Sequence, residues 1–138
     1  MAGLPLAVLF IAAGQGHFMK PRFFIGIMKG MPLEALHPAA NYITGVMELV
    51  GGVALLSKPS PQVVYSLFWL VVIMSAANVN MWWNDVPAGK TRMTYGFPFG
   101  THYLRAYAQI ALLLWLHYLA KAHRAGADGD KSGDGRMS

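Results

Sequence analysis

The amino-acid sequence predicts an all-α integral membrane protein, a four-helix bundle with a short interfacial segment between helices 1 and 2. Three observations lead there. Only 12% of the 138 residues are charged, about half the roughly 25% of an ordinary soluble domain, so something other than water must solvate much of the folded surface. Four apolar stretches, Leu4–Lys20, Ala39–Ser57, Val63–Trp83 and His102–Ala120, take up most of the chain. Each approaches the ~20 residues that cover about 30 Å of hydrocarbon. Within them, polar residues recur at helical spacing, the pattern of a bundle whose polar stripes face inward.

The first stretch is the shortest and is interrupted by Gly14, Gln15, Gly16 and His17. It competes with a secretory signal sequence, for which a shorter apolar run suffices. No Lys or Arg precedes it, and three remaining spans would have to pack without their first partner, so a membrane span is the better reading. Pro21–Pro38 follows, and its piece Arg22–Met31 sets Arg22 and Lys29 among Phe23, Phe24, Ile25, Ile27 and Met28. That mixture suits a segment lying in the head-group layer. Lys58–Gln62 is a tight turn with two prolines, which makes the second and third spans an antiparallel hairpin. Val63–Met81 carries no charge and is the clearest span. Asn84–Thr101 is rich in Gly, Pro and aromatic residues, among them Tyr95, Phe97, Pro98 and Phe99, and reads as a loop or re-entrant cap at the interface. The domain division is therefore a transmembrane unit over residues 1–123 and a polar tail over 124–138. The tail has four Gly, three Asp and no large apolar residue except Met137, too little to bury for order.

The absence of cysteine excludes disulfides, thiolate-bound zinc, iron–sulfur clusters and thiol–disulfide exchange by this chain alone. In a redox pathway, a partner or a bound cofactor would have to carry the electrons. The net charge of +5 comes with no basic cluster of interleaved aromatics, so nucleic acid is not an expected partner. Basic residues flanking the spans account for the charge through anionic lipid head groups. They do not orient the chain. Lys58, Lys121, Arg124, Lys131 and Arg136 fall on one side, balanced by Lys20, Arg22, Lys29, Lys90 and Arg92 on the other. The expected location is an integral membrane, of the bacterial inner-membrane type.

Charged groups at membrane depth need a partner or water. Glu48 lies near the middle of the second span and Arg105 near the start of the fourth, so these two are expected to approach each other. The pairing could serve a ligand, or it could only set helix register. Asn41, Gly45, Glu48 and Gly52 form one helical stripe, as do His102, Arg105 and Gln109. Ser75, Asn78 and Trp82 form a third, and Phe10, Gly14 and His17 a fourth. The glycines admit close helix approach. The resulting candidate ligand pocket is His17, Glu48, Asn78, Arg105 and Gln109, with Asn41 and His102 as secondary members. No catalytic residue and no metal ligand is assigned. His17 is either a proton carrier or quinone partner, or a residue that satisfies a polar group near its helix end. A haem between His17 and His117 is disfavoured, because antiparallel first and fourth spans would put the two at opposite ends. Trp82 and Trp83 read as interfacial anchors, and the scattered methionines as filler.

Several strings, in order and over about residues 4–120, resemble DoxX-type membrane proteins. They are His17-Phe18-Met19-Lys20-Pro21, Met31-Pro32, Tyr42-Ile43-Thr44-Gly45-Val46-Met47-Glu48-Leu49-Val50-Gly51-Gly52, Ala77-Asn78-Val79-Asn80-Met81 and Leu104-Arg105-Ala106-Tyr107-Ala108-Gln109. Thr44 stands where the family pattern has Ser, keeping the hydroxyl. Ala76 stands where it has Pro, removing an expected kink. The resemblance implies a four-helix membrane bundle with His17, Glu48, Asn78, Arg105 and Gln109 as its polar set. It also implies kinship with membrane subunits of redox assemblies, one of them a thiosulfate:quinone oxidoreductase. Family does not fix chemistry, and no autonomous catalytic motif is present. The leading expectation is a small membrane subunit or accessory factor of a redox system, with a buried polar pocket for a quinone-like or other small ligand. Its partners would be the lipid bilayer and a membrane or redox protein, with self-association left open. The alternatives are a structural or assembly factor for a larger membrane protein, and a small-solute transporter. The transporter is disfavoured because no internal repeat is apparent.

Overall fold

Proline lies in the first turn of four of the five α-helices among the described residues. Pro5, Pro21, Pro38 and Pro61 each occupy a first turn, where a fixed φ is pre-set for the helix and the missing N–H costs nothing. The computed structural model describes the backbone of residues 3–84 and 100–134, and the side chains of 3–84 and 105–126. Along the chain run α1 (Leu4–Met19), α2 (Pro21–Ile27), a 3-10 turn (Glu34–Leu36), α3 (His37–Ser57), α4 (Pro61–Trp83) and α5 (Gly100–Asp134). No strand occurs among the described residues.

The segment expected between helices 1 and 2 forms α2 and the turn that follows it. None of the α2 residues is fully buried, and Arg22 alone is exposed. Gly30 (φ 86°) and Leu33 (φ 63°) then reverse the chain in left-handed conformations, easily tolerated by glycine and uncommon for leucine. At the hairpin, Ser60 caps α4 by accepting a hydrogen bond from the Val63 amide at 3.3 Å. Helix α5 does not stop at Ala120 but continues to Asp134. A helix once started gains one hydrogen bond per added residue without needing tertiary contact, and a side chain at Gly126 would meet nothing within 4 Å. Of the expected loop or cap over Asn84–Thr101, Gly100 and Thr101 belong to α5, while residues 85–99, like 135–138 of the tail, lie outside the described residues.

The helices pack as two antiparallel pairs. On one side α1 lies against α3 at backbone distance. A Cβ added at Gly14 would fall 2.8 Å from the Gly45 carbonyl oxygen, and one at Gly52 would fall 3.0 Å from the Ala7 carbonyl oxygen. On the other side α4 lies along α5. The pairs share a core in which Leu6 and Phe10 of α1 meet Leu55 of α3, Val64, Leu67 and Leu70 of α4, and Leu116 and Leu119 of α5.

Outside that core the long helices are apolar and exposed: Val8 and Leu9 on α1, Ile43, Val50 and Val53 on α3, Trp69, Ile73 and Val79 on α4, and Ile110 and Leu114 on α5. Two helical stretches, Glu34–Ser57 and Pro61–Trp83, are long and apolar enough to cross a membrane. Only 28% and 22% of their most apolar windows are buried within the chain, where the core helix of a soluble protein would be mostly covered. At about 1.5 Å per residue, the 21 residues of α3 and the 23 of α4 each match the hydrocarbon thickness.

Because the glycine contact is backbone to backbone, Gly14→Ala is expected to destabilise the detergent-solubilised protein by about 1–3 kcal/mol through overpacking. Gly26→Ala has open space around the new methyl and is expected to be neutral or stabilising. Thermal unfolding of the two variants side by side checks the contrast.

Candidate functional site

The glycine seam between α1 and α3 encloses a polar group. His17, Asn41 and Glu48 are 5%, 1% and 3% exposed, and each stands on its helix's buried stripe, beside Phe10 and Gly14 on α1 and beside Gly45 and Gly52 on α3. Asn41 Nδ2 donates to the His17 carbonyl oxygen at 3.1 Å. Its Oδ1 therefore faces His17 Nδ1 at 2.7 Å and must accept from it. This fixes the tautomer: Nδ1 carries a hydrogen and Nε2 is aimed away from Asn41. Nε2 lies 3.3 Å from Glu48 Oε2. Both atoms are buried and neither has a hydrogen-bond partner, so the two side chains meet at ion-pair distance without a hydrogen bond between them. Phe24 of α2 closes the ring's face, its centroid 3.9 Å from that of the imidazole at 28°.

A second polar group lies between α4 and α5. Gln109 Nε2 donates to the Val71 carbonyl oxygen and to Ser75 Oγ, each at 2.9 Å. Its Oε1 accepts from Asn78 Nδ2 at 2.7 Å, and Ser75 Oγ donates back to the Val71 carbonyl at 2.9 Å. Both amide hydrogens of Gln109 are thus engaged. One turn away, Arg105 Nη1 lies 3.0 Å from the thioether sulfur of buried Met81, a weak acceptor for a guanidinium. Ser75, Asn78, Arg105 and Gln109 join Val79, Trp82, Ala106, Ile110 and Leu113 in lining an open cleft of about 230 Å³, whose exposed surface is almost wholly apolar.

The expected pairing of Glu48 with Arg105 is therefore corrected. The carboxylate faces His17, one helix seam away from α4 and α5, and among the described residues no carboxylate is within ion-pair distance of Arg105. The reason is packing. Gly14 and Gly45 bring α1 so close to α3 that the imidazole, not a side chain of α5, reaches Glu48. The five expected pocket residues divide accordingly. His17 and Glu48 share the α1–α3 seam, while Asn78, Arg105 and Gln109 share the α4–α5 cleft. Asn41, expected as a secondary member, is the residue that orients His17. The side chain of His102 lies outside the described residues. His117 is exposed beside Tyr118, their rings 5.9 Å apart. Among the described residues no group of three His, Asp or Glu side chains converges on a metal position.

Sequence reasoning missed three participants. Phe24 and Met81 are apolar residues whose contacts no spacing rule announces. Asn80 donates to the carbonyl oxygens of Ile27 (3.3 Å) and Lys29 (3.0 Å), tying the chain after α2 to α4. An asparagine in an otherwise apolar run was a usable signal for it. Compared with known proteins, the chain matches no family model, no curated protein and no solved structure.

A double-mutant cycle is expected to separate the two groups. His17→Leu with Glu48→Leu should show a coupling of about 0.5–3 kcal/mol, as for residues in direct contact, while Glu48→Leu with Arg105→Leu should be additive within about 0.5 kcal/mol. Chemical unfolding of the six proteins in one detergent supplies both numbers.

Proposed function

We propose that this chain is a DoxX-like integral membrane four-helix bundle that serves as a membrane subunit or accessory factor of a redox system. The single observation that supports the membrane reading best is the inversion of its surfaces. Large apolar side chains are exposed on all four long helices, while His17, Asn41 and Glu48 are sealed inside. In water that arrangement would leave large apolar side chains of every long helix in solvent, where large exposed apolar patches are rare, and in lipid it is the expected one. In this reading α1, α3, α4 and α5 are the spans and α2 lies at the head-group layer, in a membrane of the bacterial inner type.

The ligand part of the proposal rests on the α4–α5 cleft. Its exposed lining is almost wholly apolar, with Arg105, Asn78 and Gln109 among the lining residues and one side open, which together suit a lipid-dissolved small molecule such as a quinone. Arg105 supplies the donor, and Asn78 has one amide hydrogen left after its bond to Gln109. With no cysteine and no autonomous catalytic motif, the chain would hold such a molecule for a partner's chemistry. The sealed His17–Glu48–Asn41 group favours a second role beside this one. It locks α1 onto α3 and gives a larger membrane protein a rigid surface to assemble on.

The protein is expected to stay in the membrane pellet through an alkaline carbonate wash. Purified in mild detergent, it should carry a lipid-soluble small molecule, a redox protein, or both, read by mass spectrometry of the same preparation. Release by carbonate would overturn the membrane reading. An empty preparation that also fails to bind added quinone would remove the quinone.

A further inference from the structure

Arg105 is a cation without a counter-charge among the described residues. Glu48, the one acid in the long apolar helices α1, α3 and α4, faces His17. Of the five N–H groups of the guanidinium, one is directed at the Met81 sulfur, which carries no charge to offset it. Beside it, Gln109 has no amide hydrogen to offer, since both are engaged with Val71 and Ser75. A neutral carbonyl in this cleft would accept a hydrogen bond from Arg105 but bring no charge to it, and none stands beside it among the described residues. An acid oxygen satisfies both needs, and charge-assisted hydrogen bonds of this kind are roughly twice as strong as neutral ones.

The shape of the cleft narrows the choice. Its volume of about 230 Å³ lies below the roughly 300–1,000 Å³ of pockets that enclose a whole drug-sized ligand, so it takes a head group and the start of one chain. Its walls include Val79, Trp82 and Ile110, each more than half exposed on the outer face. A chain leaving the cleft passes between them into the surrounding lipid. We infer that the α4–α5 cleft binds a single-chain amphipathic carboxylate, its acid group on Arg105 and its hydrocarbon tail running out along Val79 and Ile110. This names the ligand class of the cleft and rests on the membrane reading above, with a fatty acid in place of a quinone.

The test uses the full chain in nanodiscs of zwitterionic phosphatidylcholine, titrated with isotopically labelled palmitate against empty discs. The inference expects one saturable palmitate per chain, no saturable binding of palmitate methyl ester, a loss of at least about tenfold in Arg105→Gln, and retention in Arg105→Lys. Val79→Trp, which keeps the charge and fills the cleft, should also abolish binding and guards against misfolding of the charge variant. Arg22→Gln, on exposed α2, should leave binding unchanged. Equal binding of the ester, displacement by equimolar phosphatidylglycerol, or partition no greater than in empty discs would each overturn the inference. A saturable site for decyl-ubiquinone in discs that show none for palmitate would overturn it while leaving the proposed function standing. Discs that the protein fails to enter would remove both.

Discussion

The distance between α1 and α3 governs the rest of the structure. Gly14, Gly45 and Gly52 let two backbones approach until a single methyl group would collide with a carbonyl. At that separation the imidazole of His17 is carried onto Asn41 and Glu48. Helix association in lipid cannot draw on the hydrophobic effect, since acyl chains are as apolar as leucine, and depends on close packing and interhelical hydrogen bonds. The seam supplies both, the glycines for contact and Asn41 for two hydrogen bonds that bridge the helices. A fully buried carboxylate is tolerable only with a partner, and the seam decides which partner it has.

That choice propagates across the bundle. With Glu48 beside His17, Arg105 is left on the far pair of helices beside a thioether, a half-buried cation. The two polar groups therefore differ in kind. One is closed and suited to holding the fold, and the other is open, with no carboxylate beside its cation among the described residues. The sequence alone presents the same residues as a single pocket, because a stripe on a helix says which side faces inward but not which neighbouring helix it meets.

Much of the architecture was legible. The boundaries of α3 and α4 follow from apolar length and proline positions. The buried stripes of α1 and α3 follow from spacing, and every member expected on them, from Phe10 to His17 and from Asn41 to Gly52, is buried. What spacing could not supply was the pairing of helices. The charges of Glu48 and Arg105 suggested one contact, whereas the glycines, read only as permissive, dictated another. The roles of Phe24 and Met81 were equally hidden, since stacking on an imidazole or lying beside a guanidinium depends on three-dimensional neighbours. The extension of α5 beyond Ala120 was masked by its glycine-rich composition, which lowers helix propensity without forbidding helix.

Asn80 has a mechanical consequence. The short turn between α3 and α4 joins the two helix pairs at one rim only, which by itself would let them splay like an open book. The Asn80 amide, by gripping the chain behind α2 at two carbonyls, acts as a hasp on the opposite rim. The halves are thereby shut at both ends, and α2 is held as a fixed shelf above the imidazole instead of a flap that swings free of it.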